Sequence, residues 1–366
     1  MARNRIIYQS EALYAGPSPA SGNHFSGGNT GNNLVNQLQR IQSANYSFNI
    51  ARQDVNQFGE LAAIDRVILE SPTVSLDFSY LLNSFGNEEL LGFGPLDTDQ
   101  TSCISGMLNK TSDERNYFIR TVSEGTDALG VGTGAAGQNV IGIGNGFITS
   151  YSTEGSVGNF PTVTVNVEAL NMSFDAGVTG NHIPAVLPTD GSKITGVKYA
   201  LDAVVSSAVT GASGVSALRP GDITVDISAY GGGGVSVSDA KIQSYTLSFD
   251  LARDPLQKLG SKFAFAREIQ FPVTVSMSVQ ALLGDLTTGN LSDIITTDSN
   301  YDLSVALKHP TTSAIQAKYF LKRAKLDSQE FSSSIGDNKS VTLNFSTQIG
   351  GPSQTDRGLF MSGVKD

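Results

Sequence analysis

The residues with the widest chemical repertoire in this chain are three histidines, His24, His182 and His309, and a single cysteine, Cys103. A zinc or other transition-metal site needs several ligands at short, defined spacings, and none of the three histidines has a second ligand placed that way. One cysteine excludes both an internal disulfide and a cysteine-rich metal site. A catalytic triad requires a histidine beside an activated serine with an acid behind it, and the sequence offers no nucleophile elbow to supply that serine. The segment Gly132-Thr133-Gly134-Ala135-Ala136-Gly137 matches the GxGxxG of dinucleotide-binding proteins. That motif works only between an apolar parallel strand and a helix N-terminus. No such strand precedes it, and the residues from Gln138 to Gly144 do not continue as a helix, so it reads as a loop. The acidic pairs Glu88-Glu89 and Asp113-Glu114 read as solvated surface rather than general acid and base. The sequence therefore predicts no catalytic residue, metal or cofactor, and a protein that is not an enzyme.

Four arginines carry more information because they recur. Residues 41–82 lie without a gap over residues 242–283, identical at about sixteen of roughly forty-two positions. In this register Ile41 meets Ile242, Phe48 meets Phe249, Arg52 meets Arg253, Gly59 meets Gly260 and Arg66 meets Arg267. Against a background of only 16% charged residues, the paired arginines predict structural salt bridges within or between subunits. A duplicated unit also lets one chain occupy two equivalent positions in a symmetric assembly. Architecture is the expected role.

Composition bounds the rest. A chain of 366 residues is long enough for two ordinary domains, here expected as residues 1–177 and 191–366 with a linker at 178–190. Abundant glycine with many serines, threonines and valines favours short strands over long helices. A net charge of −10 and a pI near 4.8 argue against a protein that grips phosphate. No apolar run approaches the roughly twenty residues that span a bilayer, and no signal-peptide core follows Met1-Ala2-Arg3-Asn4-Arg5. The expectation is synthesis in a cytoplasm, with no membrane anchor.

The elements that position these residues follow from period-2 patterns. Tyr46, Phe48 and Ile50 alternate with polar residues, and Leu247, Phe249 and Leu251 answer them. Val74, Leu76, Phe78 and Tyr80 oppose Thr73, Ser75, Asp77 and Ser79; in the second copy Val275, Met277 and Val279 oppose Thr274, Ser276, Ser278 and Gln280. One face packs on a core and the other is wet. Further strands are predicted at 5–14, 147–153, 162–174, 223–230, 301–308, 317–326 and 341–349, with a phase slip near Leu170. Compact turns are expected at 52–59 and 253–260, the second with Asp254-Pro255 as a helix cap, and a helix at 281–295 or merely at its ends, because Gly284 and Gly289 weaken it. The segments 16–33, 124–146 and 350–366 are rich in breakers or unpatterned and are expected to order only between subunits. The glycine-rich stretch 124–146 is expected to have no counterpart in the second half.

With segments such as YTLSFDLARDPLQKLG in duplicate, the chain resembles the phage tail tube proteins, a family similar in turn to the tube proteins of type VI secretion systems. The resemblance implies a mainly β fold, two tandem β-sandwich or open-barrel units each with a short helix, and self-assembly into stacked rings around a channel for DNA. It further implies trimeric rings of pseudo-sixfold symmetry, or hexameric ones, contacts with other tail proteins, transient passage of DNA, and residence in the virion tail. On this reading Thr73, Ser75, Asp77, Ser79, Thr274, Ser276, Ser278 and Gln280 line the channel. A baseplate, capsid-decoration or other β-rich surface protein is the alternative.

Overall fold

In the computed structural model, residues 10–17, 33–94, 101–108, 113–128, 138–176, 183–194, 199–201, 217–230, 241–282, 299–332 and 339–364 are described. The fold is mainly β. The first half runs β1 (Glu11–Pro17), β2 (Asn33–Gln37), β3 (Ile41–Asn49), β4 (Arg52–Val55), β5 (Asp65–Ile68) and β6 (Thr73–Leu81), then helices α1 (Gly86–Leu91) and α2 (Ser105–Leu108), then β7 (Glu114–Thr121), β8 (Asn139–Ser156), β9 (Thr162–Ala169) and β10 (Asn171–Ala176). Next comes β11 (Tyr199–Leu201), which pairs in parallel with β2 of the first half, and the second half then runs β12 (Ile223–Tyr230), β13 (Lys241–Asp250), β14 (Arg253–Leu256), β15 (Ala266–Ile269), β16 (Val273–Leu282), β17 (Asn300–Lys308), β18 (Ile315–Ser332), β19 (Ser340–Ile349) and β20 (Gly358–Gly363).

The alternation read from the sequence is what places these strands. In β6 the apolar side chains Val74, Leu76, Phe78 and Tyr80 are buried, while Thr73, Ser75 and Asp77 on the other face are exposed. In β16 Val273, Val275, Met277, Val279 and Ala281 are buried in the same way, opposite exposed Thr274, Ser276 and Gln280. The strands β3, β6, β9, the C-terminal half of β8, β13, β16, β19 and the C-terminal half of β18 follow one another in a continuous antiparallel sheet. Its apolar face is covered in each half by the strands on the far side of the core. Phe78 of β6 meets Tyr117 of β7 with ring centroids 6.2 Å apart, and Phe345 of β19 meets Tyr301 of β17 at 5.5 Å. One apolar cluster runs through both halves, and a smaller one gathers Tyr14, Val35, Phe118, Val140, Ile183, Ala185 and Tyr199.

Pairing repeats between the halves in chain order. In the first, β3 pairs β6, β6 pairs β9, β9 and β10 pair β8, and β1 pairs β7, which pairs β8. In the second, β13 pairs β16, β16 pairs β19, β19 and β20 pair β18, and β12 pairs β17, which pairs β18. Irregularities repeat too. The register shifts between Ile148 and Ser150 in β8 and between Leu326 and Ser328 in β18. Both long strands carry a residue in the left-handed region at the matching place, Asn145 (φ 55°) and Arg323 (φ 52°). Side chains agree as well: Asn166 Nδ2 donates to Ser150 Oγ at 2.8 Å or less, as Asn344 Nδ2 does to Ser328 Oγ (2.7 and 2.8 Å).

Several expectations need correction. The turns at 52–59 and 253–260 begin as strands β4 and β14, not helical turns: Pro255 sits opposite Arg267 in a two-stranded ribbon, where an edge position tolerates the missing N–H. Both described α-helices fall in the first half. The expected helix at 281–295 opens instead as the end of β16, and residues 283–295 lie outside the described residues. Residues 139–146, expected in a loop, are the first half of β8, and β18 supplies their counterpart. Their glycines serve close approach rather than turning. A Cβ on Gly144 would stand 2.3 Å from the backbone carbonyl of Pro184. Residues 358–363 of the expected tail form β20, with Leu359, Phe360 and Met361 fully buried. The phase slip falls where expected, at Leu170 between β9 and β10, where the chain leaves β6 while keeping its place beside β8.

Because the atoms facing Gly144 are backbone, Gly144→Ala must displace the 183–186 segment or β8. A loss of about 2 kcal/mol is expected in urea unfolding; an unchanged midpoint would show that this segment does not pack on β8.

Candidate functional site

Among the described residues no group of three or more His, Cys, Asp or Glu side chains is placed to hold a metal. Cys103 is fully buried, and burial pushes its thiol well above the usual range. His309 caps the β17–β18 turn, its Nδ1 accepting from the backbone N–H of Thr311 (3.0 Å) and Thr312 (3.2 Å). His24, His182 and the Gly132–Gly137 motif lie outside the described residues. Two open clefts of about 460 and 560 Å³ lie on the polar side of β13, each with one carboxylate, Asp250 and Glu154. Neither has a second acid for paired acid and base chemistry. No described helix is long and apolar enough to cross a membrane.

The feature with functional geometry is the polar face of the eight-strand sheet. One row of directly paired residues crosses it: Ser43, Ser79, Thr164, Ser152, Ser248, Ser276, Ser346 and Lys325, one from each strand. None of them is buried. Hydroxyls tie neighbouring strands together, Ser43 to Ser79 at 2.7 Å and Ser47 to Ser75 at 2.8 Å, with Ser244 donating to Gln280 Oε1 at 3.3 Å. Exposed Asp77, Glu154, Asp250 and Glu330, with half-buried Glu168, stand on this same side. The structure thus brings Thr73, Ser75, Asp77 and Ser79 onto one face with Thr274, Ser276, Ser278 and Gln280. Sequence reading missed the row's middle members, Thr164, Ser152 and Ser248. The alternation of Thr162, Thr164, Asn166 and Glu168 was the available signal, but only pairing shows which strands adjoin.

The four arginines part company. Arg253, nearly buried, grips Asp113 through both terminal nitrogens (2.6 and 3.0 Å), donates from Nε to the Ile148 carbonyl (3.2 Å), and lies 5.1 Å from the Phe147 ring centre. Arg267 pairs with Glu168 at 2.5 Å beside the same ring. Both tie the β14–β15 ribbon of the second half to the first. Arg66 pairs with Asp54 inside its own ribbon (2.6 Å) with 67% of its side chain exposed, and exposed Arg52 donates to the Arg66 carbonyl (3.4 Å).

Buried at the same junction is Glu88 of α1, one of the acids expected at the surface. Its Oε1 accepts from Tyr80 Oη (2.7 Å) and Tyr151 Oη (2.9 Å). Since the Tyr151 proton is committed to Glu88, the 2.6 Å contact between Tyr151 and Tyr319 is donated by Tyr319, from the second half. Desolvation raises the carboxyl to about 7, although both tyrosine bonds favour its charged form.

Nothing among protein-family models matches the chain, and no curated protein matches its sequence. Solved structures similar to it include a chain of the anti-feeding prophage baseplate, 6-fold symmetrised, at 10% identity and TM-score 0.26, covering 39% of this chain and 94% of that one. Another is a chain of the virion of a native gene transfer agent particle, at 13% identity and TM-score 0.18, covering 39% and 83%.

Two outcomes follow from the junction. Removing Arg253 leaves Asp113 without its partner, so Arg253→Ala is expected to cost about 3 kcal/mol in urea unfolding, against less than about 0.5 kcal/mol for Arg66→Ala. Equal, small losses would contradict the assignment. For Glu88 the folded value exceeds the unfolded one. Its contribution is therefore fully present below about pH 4.5 and is lost as pH rises through about 7, a difference of about 3 kcal/mol. The thermal midpoint should fall over that range in the wild-type protein and stay flatter in Glu88→Gln; parallel profiles would rule Glu88 out as the cause.

Proposed function

We propose that this protein is a structural component of a phage-type virion, a tail tube subunit whose chains assemble into stacked rings around a channel for DNA. The observation that carries the reading is the eight-strand sheet, in which two four-strand groups of matching order lie side by side and share one wet, hydroxyl-rich face. Two such groups per chain make three chains a ring of six. The residues 1–177 and 191–366 are then the two units, joined through 178–190. A lining of serine, threonine and asparagine with a surplus of carboxylates suits a conduit, because phosphates meet few cations to hold them and slide rather than bind. On this reading the protein is not an enzyme, is made in the host cytoplasm and ends in the virion tail beside other tail proteins.

Electron micrographs of the purified protein test this directly. Stacked rings with an open channel are expected; closed shells, or monomers at every concentration, would count against it. Within the tube, Ser75→Lys with Ser276→Lys should leave folding intact, both side chains being exposed. It should also make the assembled protein retain duplex DNA at low salt and release it at high salt. Tubes of the variant that deliver DNA at the wild-type rate, independent of salt, would remove these residues from the lumen.

A further inference from the structure

The halves of this chain are joined by a backbone ladder. The outer edge of β13 pairs with the C-terminal half of β8, from Ser244 opposite Ser156 to Asp250 opposite Ser150. Each partner has a match in the other half, β3 for β13 and β18 for β8, with the same bulges and the same Asn-to-Ser bond. Among the described residues neither match is paired there: β3 pairs only β6, and β18 beyond Ala324 pairs only β19. These two open edges bound opposite ends of one sheet. Each therefore has the shape of the half-joint that the other lacks.

Side chains agree with an unfinished joint. Phe249 is 2% exposed because β8 and Phe93 cover it, its ring stacking on Tyr151 at 5.4 Å. Its match Phe48 is 61% exposed, and Phe331, on the open stretch of β18, is 53% exposed where its match Thr153 is 1%. Large apolar side chains on two open strand edges are an aggregation hazard unless a partner strand covers them.

We infer that the joint between neighbouring copies is antiparallel pairing of β3 in one copy with residues 328–332 of β18 in the next. Transferring the internal register sets Asn45 opposite Ser332, Tyr46 opposite Phe331, Ser47 opposite Glu330, Phe48 opposite Gln329 and Asn49 opposite Ser328. The occupant is a second copy of this chain, since the complementary edge is its own, and a contact between two different edges propagates head to tail, closing as a ring where the rotation between copies returns to its start. The inference rests on the ring reading and names its contact. The copy-to-copy joint differs from the internal one in its anchors: Ser346 stands where Glu168 does, and Lys325 where Phe147 does. Arg66 therefore keeps Asp54, and the joint rests on backbone pairing with Phe48, Tyr46 and Phe331. Lacking the ion pairs of the internal joint, it is the weaker of the two.

Cysteines at register partners test it, with buried Cys103 left in place. Adjacent antiparallel pairs alternate between wide and close spacing, so either Ser47→Cys with Glu330→Cys or Phe48→Cys with Gln329→Cys falls on a close pair. Oxidation of assembled protein is expected to give a ladder of linked chains ending at one closed ring for one of these variants. Independently, Phe48→Asp should keep the wild-type circular dichroism yet raise the concentration needed for assembly by at least about tenfold. Tubes that form without a cross-link at either pair, or an unchanged threshold in Phe48→Asp, would overturn the joint and leave the tube reading standing. Cross-linked rings that never stack into tubes would keep the joint and overturn the tube. Protein that stays monomeric and unlinked at every concentration overturns both.

Discussion

The ladder between β8 and β13 is the contact on which the rest of this structure depends. It makes one sheet of two four-strand groups, and an unpaired β13 would leave Leu247 and Phe249 facing water instead of the shared core. Two local devices reinforce it from opposite sides. Arg253 and Arg267 clamp the β14–β15 ribbon onto Asp113, Glu168 and the Phe147 ring, while the Tyr319–Tyr151–Glu88 chain crosses the junction inside the core. Backbone pairing fixes the register, and the side chains make that register costly to leave.

Glu88 illustrates how much such a junction bears. A carboxyl with no solvent access is unfavourable when charged, and two tyrosine hydroxyls on one oxygen offset only part of that cost. Its Oε1 in turn gives the buried Tyr80 and Tyr151 hydroxyls an acceptor in a packed layer. That the third tyrosine comes from the other half makes the network a junction element as well as a core one.

Matched halves are not interchangeable halves. The first carries the anchoring acids Asp113 and Glu168 beside the Phe147 ring; the second carries Lys325 where Phe147 stands and Ser346 where Glu168 does. The ion pairs therefore reinforce the contact between the halves inside the chain.

By itself the sequence determined the alternation of β6 and β16, the in-register match of residues 41–82 with 242–283, and the mainly β class, because period-2 burial and repeat identity are local properties of the chain. It also marked the slip at Leu170. The segments 139–146 and 358–363 were illegible: glycines that permit close packing on Pro184 look like loop glycines, and β20 is a short apolar run whose burial depends on a strand some forty residues away. Glu88 looked like surface for the same reason, since nothing near it in sequence announces Tyr151 and Tyr319. Only the tertiary structure decided that Arg253 and Arg267 are anchored on the other half while Arg66 keeps a partner within its own ribbon and Arg52 stays exposed, because identical residues in matching ribbons reach a neighbouring strand's acids only where the sheet continues beside them.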